Sequence, residues 1–124
     1  MTDRPLSGYR IIIIEDDYYQ AEDSRLTLER AGATLIAVTP TAPDLGVLLA
    51  RGRIDAALID INLGSSVSFQ FARELAERAI PFAFLTGYDA GILPDDLAGR
   101  PYLSKPADAA KIIATLARLA SGQQ

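Results

Sequence analysis

Four polar clusters each follow a short apolar run in this sequence, and their residue types suit one chemistry. Glu15, Asp16 and Asp17 come after residues 11–14, and Asp60, with Asn62 two positions on, closes the run that begins at 56. Thr86 and Gly87 come after residues 82–85, and Ser104, Lys105 and Pro106 after residues 102–103. Neighbouring carboxylates repel and raise one another's proton affinity unless a cation stands between them. Mg²⁺ prefers oxygen ligands, keeps several waters and takes one or two carboxylates together with phosphate oxygens. A carboxylate at Asp60 could then attack a phosphoryl group while Mg²⁺, the Lys105 ammonium and the Thr86 hydroxyl neutralise its equatorial oxygens. That chemistry is phosphoryl transfer onto aspartate.

Each piece also has a plainer explanation. Acids are favoured at helix N-termini by the dipole, Asp and Asn are frequent in turns, a lysine before proline in a loop is usually exposed, and an aromatic such as Tyr102 in a short strand mainly contributes buried area. Thr86 could serve only to finish a strand. The site vanishes only if all of these hold together.

The elements that must position the clusters are legible from periodicity. Residues 11–14, 35–38, 56–59 and 82–85, with a weaker run at 102–103, are nearly continuously apolar, as strands covered on both faces are. Between them Ala21, Leu28 and Ala31, then Leu45, Leu48 and Leu49, then Phe71, Ala72, Leu75 and Ala79, and finally Ala109, Ile112, Ile113, Leu116 and Leu119 fall at helical spacing. Thr41 before Pro43 and Asp44 reads as an N-cap, and Gly32 and Gly52 read as helix stops. Alternating strands and helices imply right-handed crossovers and a doubly wound, five-stranded parallel sheet with helices on both faces. In such sheets ligands bind beyond the carboxyl ends of the strands, where these clusters fall. Residues 87–101 break the rhythm with three glycines and two prolines, so the fourth helix is expected to be short, irregular or mobile. Residues 121–124 are expected to fray.

Composition narrows the functions. With 124 residues the chain is expected to form one domain, residues 1–124 with a core of about 9–120, and no output domain. The sequence contains no histidine and no cysteine, which removes Ser-His-Asp and Cys-His catalysis and the usual zinc ligands, so a metal here is held by oxygen. A net charge of −4 argues against a nucleic-acid partner. The first ten residues lack the pattern of a secretory signal, and no apolar run approaches the length of a membrane span. The expected location is the cytoplasm, with no membrane partner.

In this order and spacing the clusters resemble the receiver domain of two-component response regulators, a flavodoxin-like fold, over nearly the whole chain. The resemblance implies that Asp60 is the phosphoacceptor, that Glu15 and Asp16 hold Mg²⁺ beside Asp60, and that Asn62 gives the metal a backbone carbonyl. It implies that Thr86 and Lys105 contact the phosphoryl group and that Thr86 and Tyr102 act as the switch. It also implies a cis peptide before Pro106, where family members turn sharply to aim the lysine. "PFAFLTGY" at residues 81–88 is similar to the PFxFATGY motif of an alphaproteobacterial receiver subfamily, with Leu85 for the usual Ala. Members of that group are stand-alone receivers paired with histidine kinases of the HWE type or a close relative. Gly64 stands where a proline commonly follows the phosphoacceptor loop.

A stand-alone receiver of this kind is not an enzyme in the ordinary sense: it takes a phosphoryl group from a histidine kinase or phosphotransfer protein and acts through a further protein target. Three other functions fit the residues less well. A haloacid dehalogenase-type phosphohydrolase needs a second aspartate where Asn62 stands, as the acid for a leaving group. A dinucleotide-binding domain needs a glycine-rich turn where acids stand here. A receiver-like interaction module outside phosphorylation control would have no need of Asp60, Thr86 and Lys105 together.

Overall fold

The computed structural model describes residues 4–61, 66–87 and 90–122. In chain order the elements are β1 (Arg10–Ile14), α1 (Tyr18–Arg30), β2 (Thr34–Thr39), α2 (Leu45–Ala50), β3 (Ala56–Ile61), α3 (Ser66–Glu77), β4 (Phe82–Thr86), a single 3₁₀ turn (Ala90–Ile92), β5 (Tyr102–Ser104) and α4 (Ala109–Ala120). The five strands form one sheet in the order β2-β1-β3-β4-β5, with every neighbouring pair parallel. All five apolar runs seen in the sequence are strands.

Strand alternation divides the core into two layers. Ile11, Ile13, Leu58, Ala83 and Leu85 point to the face covered by Leu28 of α1 and Ile112, Leu116 and Leu119 of α4. Ile12, Ile14, Ile59, Phe82 and Phe84 point to the opposite face, against Leu45 and Leu48 of α2 and Phe71 and Leu75 of α3. Four consecutive isoleucines in β1 make sense only because both of its faces are covered. Strand order reverses between β1 and β3, which opens a crevice beyond their carboxyl ends.

Local rules explain most boundaries. Asp17 caps α1 by accepting the Gln20 N–H at 3.0 Å, and Gly32 follows its end at φ +102°, where a Cβ would stand 2.9 Å from the Ser7 backbone. One expectation is corrected: the cap of α2 is Asp44, accepting the Val47 N–H at 3.1 Å, and not Thr41. The Thr39 hydroxyl instead donates to the Thr41 carbonyl at 2.6 Å. A carboxylate placed directly before Leu45 caps the first turn better than a hydroxyl three residues earlier, and Leu45 can then point inward.

The described residues from 90 to 101 are irregular, as the glycines and prolines there imply. Among the described residues no α-helix joins β4 to β5; the 3₁₀ turn is followed by turns over residues 95–99. Leu93 and Leu97 nonetheless plug into the α2–α3 layer, and Asp96 forms an ion pair with Arg73 of α3 at 2.8 Å. Two anchors and an ion pair do here what a helix would otherwise do. The peptide between Lys105 and Pro106 is cis.

Candidate functional site

Parallel pairing of β1 with β3 places Ile14 beside Ile59, so the next residues, Glu15 and Asp60, lie together at the crevice. Their side chains are each about 2% exposed. The Lys105 ammonium touches Asp60 Oδ1 and lies 3.9 Å from Glu15 Oε1. Both Asp60 oxygens are fully buried, and no well-directed hydrogen bond reaches either of them. The Lys105 charge is the partner that makes so deeply buried a carboxylate tolerable, and it leaves the hydrogen-bonding capacity of both oxygens unused.

The strain shows in Glu15, whose carboxyl is pushed up to about 8, first by burial and then by the close approach and negative charge of the Asp60 carboxylate. The Asp17 N–H, donated to Glu15 Oε2 at 3.1 Å, and the Lys105 charge work in the opposite direction. Asp16 is exposed, yet it offers an oxygen that lies within 4.8 Å of one from Glu15 and one from Asp60. Three converging carboxylates, two of them buried and one with both oxygens lacking hydrogen bonds, fit a hard divalent cation such as Mg²⁺.

Thr86 ends β4, buried, in register with Ile61 of β3 and Ser104 of β5. Its carbonyl accepts the Lys105 N–H at 2.7 Å. That backbone clamp fixes where the lysine leaves the sheet. Tyr102 stands three residues before the lysine, beside Phe84, and is 39% exposed. It is therefore a surface aromatic on a short edge strand and not core. Asn62, Gly64 and Tyr88 lie outside the described residues.

The structure thus brings Glu15, Asp16, Asp60 and Lys105 to one place, with Thr86 at the end of the strand next to β3 and Tyr102 at the edge. Sequence reasoning grouped Asp17 with the acids; in the structure it caps α1 and holds Glu15 through its N–H. The Asp17-to-Gln20 spacing, an acid three residues before Gln at a helix start, was the available signal.

No family model matches the sequence. A curated relative, the sensor protein TorS of Escherichia coli, is 30% identical over 95 residues, which is 77% of this chain, and the matched stretch spans about a tenth of that protein (10%). Among solved structures, a response regulator receiver protein from Burkholderia phymatum is 27% identical with a TM-score of 0.73, covering 94% of this chain and 98% of its own. The receiver domain of a signal transduction histidine kinase from Syntrophus aciditrophicus is 25% identical, with a TM-score of 0.72 and coverage of 93% and 92%. A CheY-like receiver domain protein from Methanospirillum hungatei is 21% identical, with a TM-score of 0.74 and coverage of 94% and 97%. Strand order, layers and these likenesses agree: the chain has the CheY-like fold of response regulator receiver domains.

Proposed function

We propose that this chain is a receiver that accepts a phosphoryl group on Asp60 from the phosphohistidine of a sensor histidine kinase or phosphotransfer protein, in a Mg²⁺-dependent reaction. The observation that carries the reading is the Asp60 carboxylate itself, buried without hydrogen bonds between a lysine and two further acids. Such a group is costly for folding and suited to a ligand or a reaction.

In this reading an Asp60 oxygen attacks phosphorus as the bond to the donor's imidazole nitrogen breaks, and that electron pair stays on the imidazole. Glu15, Asp16 and Asp60, with the Asn62 carbonyl, would hold Mg²⁺, which when bound offsets negative charge on the entering phosphoryl oxygens. Lys105, released from its contact with Asp60, pairs with the new phosphoryl group. The Thr86 hydroxyl binds another of its oxygens, and Thr86 and Tyr102 carry the change outward. The receiver takes part in its own phosphorylation and dephosphorylation but turns over no separate substrate. It signals by binding another protein.

Similarity of residues 81–88 to the PFxFATGY motif supports a kinase of the HWE type or a close relative as donor. No described helix is long and apolar enough to cross a membrane, which agrees with a cytoplasmic site of action.

Intact-mass measurement after incubation with acetyl phosphate and Mg²⁺ tests the assignment. The wild type should gain one phosphoryl group, and Asp60→Asn should gain none, because an amide is not a nucleophile here. Equal incorporation in the variant overturns the role of Asp60. A wild type that takes no phosphoryl group from acetyl phosphate or from a phosphorylated kinase would favour a receiver-like interaction module.

A further inference from the structure

The two edges of the sheet are protected very differently. β5 has only 3 residues and stands between Pro101 and the Lys105–Pro106 pair, so it offers little to a further strand. β2 has 6 residues, Thr34–Thr39, with no charge, proline or glycine among them. Its flanking backbone bonds, from the Thr34 N–H to Tyr9 and from the Glu15 N–H to the Thr39 carbonyl, run to the β1 side. Among the described residues no strand lies along its outer side. While β3 and β4 are buried throughout, β2 is exposed at Thr34 and half-buried from Leu35 to Thr39. An open edge of this composition is what proteins otherwise blunt with charges or prolines.

A bulge gives this edge a second property. The register with β1 runs from Ile11 opposite Leu35 directly to Ile12 opposite Ala37, so Ile36 is an extra residue. Alternation breaks there. Leu35 and Val38 pack on the layer covered by α1 and α4, whereas Ile36 and Ala37 both pack on the layer covered by α2 and α3. The order of faces is therefore the same read in either direction along the strand. Residues opposite one another in an antiparallel pair share a face. Two copies of β2 laid antiparallel meet that condition along their whole length in one register, with Leu35 opposite Val38, Ile36 opposite Ala37 and Thr34 opposite Thr39. A slip by one residue sets side chains of one layer against those of the other.

We propose that β2 pairs with β2 of a second copy of this chain, antiparallel about a two-fold axis between Ile36 and Ala37, so that two sheets become one. The strand carries no charge, so self-pairing sets no like charges opposite one another within it. Both apolar layers continue across the axis, through Leu35 against Val38 in one and Ile36 against Ala37 in the other. Thr34 against Thr39 closes each end, a cross-strand pair that can hydrogen-bond. A strand pair of this length is small for an interface between proteins, so the dissociation constant is expected on the order of 10–100 µM. Assembly stops at two copies, because the edges left open are the short β5 strands.

Sedimentation equilibrium of the full chain, from micromolar to millimolar concentration, tests this pairing, and a monomer–dimer equilibrium is expected. Thr34→Glu combined with Thr39→Glu sets like charges opposite at both ends and should weaken the dimer by roughly ten-fold or more. Thr34→Lys combined with Thr39→Lys should do the same. An equimolar mixture of the two double variants should dimerise at least as tightly as the wild type, because each end then joins opposite charges. Thr34 is exposed, so Thr34→Glu alone, expected to weaken the dimer by roughly three-fold, remains informative if loss of the Thr39 hydroxyl bond to Thr41 unfolds the double variants. A chain that stays monomeric to millimolar concentration overturns the proposal. So does a dimer that these substitutions leave unchanged, which would put the contact on another surface. A mixture no tighter than its components, or open-ended assembly of the wild type, overturns it equally.

Discussion

Asp55 and Asp60 bracket the same strand, and they are treated in opposite ways. Asp55, just before β3, is fully engaged: one oxygen accepts the Arg10 N–H at 2.8 Å, and both oxygens accept Arg53 Nε at 3.1 Å. Asp60, near the other end, is deeper, lacks any well-directed hydrogen bond, and shares its surroundings with Glu15 and the Lys105 ammonium. The first carboxylate ties β1 to the chain entering β3. The second is held in a state that folding alone would not choose. Residue type and strand are the same, so the difference lies in how the surroundings answer the charge.

The largest way to sharpen this contrast is pH. The Glu15 carboxyl lies near 8 in the folded protein against an ordinary value of 4.5, so the folded state holds its proton over a range where the unfolded state has lost it. Its contribution to stability is fully present below about 4.5 and is lost as pH rises through about 8, by an order of several kcal/mol over the whole window. Urea unfolding midpoints in a metal chelator should fall across that range, and Glu15→Gln should flatten the fall. Excess Mg²⁺ should oppose it, because the ionised cluster binds a cation more tightly. A flat profile for the wild type in chelator would show that the crevice does not hold the buried, mutually repelling acids described above.

The same chemical change at both ends of β3 gives the next effect. Asp60→Asn removes a buried charge beside Glu15 and leaves Lys105 within reach of the Glu15 carboxylate. At pH 8 without metal it should stabilise the fold by about 1–2 kcal/mol, as neutral replacements of buried ions often do. Asp55→Asn weakens a charge-assisted bond to Arg53 and to the Arg10 N–H, and should destabilise by about 1–2 kcal/mol. Denaturant titrations of the two variants should therefore move in opposite directions. A shift of the same sign in both would erase the distinction.

How much of this was readable beforehand follows from which forces act locally. Runs such as Ile11 to Ile14 declare a strand with two covered faces, and the order of polar clusters after the strands placed Asp60, Glu15 and Lys105 at one edge. Those features depend on periodicity and topology, which sequence carries directly. The cap of α2 was misassigned because Thr41 and Asp44 both satisfy the local rule, and only the packing of Leu45 decides between them. The role of Asp17 was hidden in a run of three acids. That Leu93 and Leu97 would anchor a segment without an α-helix could not be seen, because two leucines four apart fit a helix equally well.

The smallest effect belongs to the amino end, where the chain otherwise obeys its local rules closely. The ends of α1, α2 and α4 are each followed by a glycine with positive φ, namely Gly32, Gly52 and Gly122 at +102°, +141° and +82°. After α3 the corresponding residue is Ala79 at φ +58°. The Ile80 N–H bonds back to the Leu75 carbonyl at 2.9 Å and the Ala79 N–H to the Ala76 carbonyl at 3.1 Å, so the turn is well formed and the left-handed backbone is imposed by it. A Cβ in that region costs roughly 1–2 kcal/mol, whereas glycine adopts it freely at the expense of extra freedom in the unfolded chain. Ala79→Gly should therefore raise stability by about 0.5–1 kcal/mol, read as a higher urea midpoint with an unchanged slope. Phosphoryl uptake at Asp60 should be unaffected, since Ala79 stands at the far end of the sheet. A lower midpoint would mean that the alanine methyl contributes packing beside Ile80 and Pro81 that outweighs the relief of its backbone.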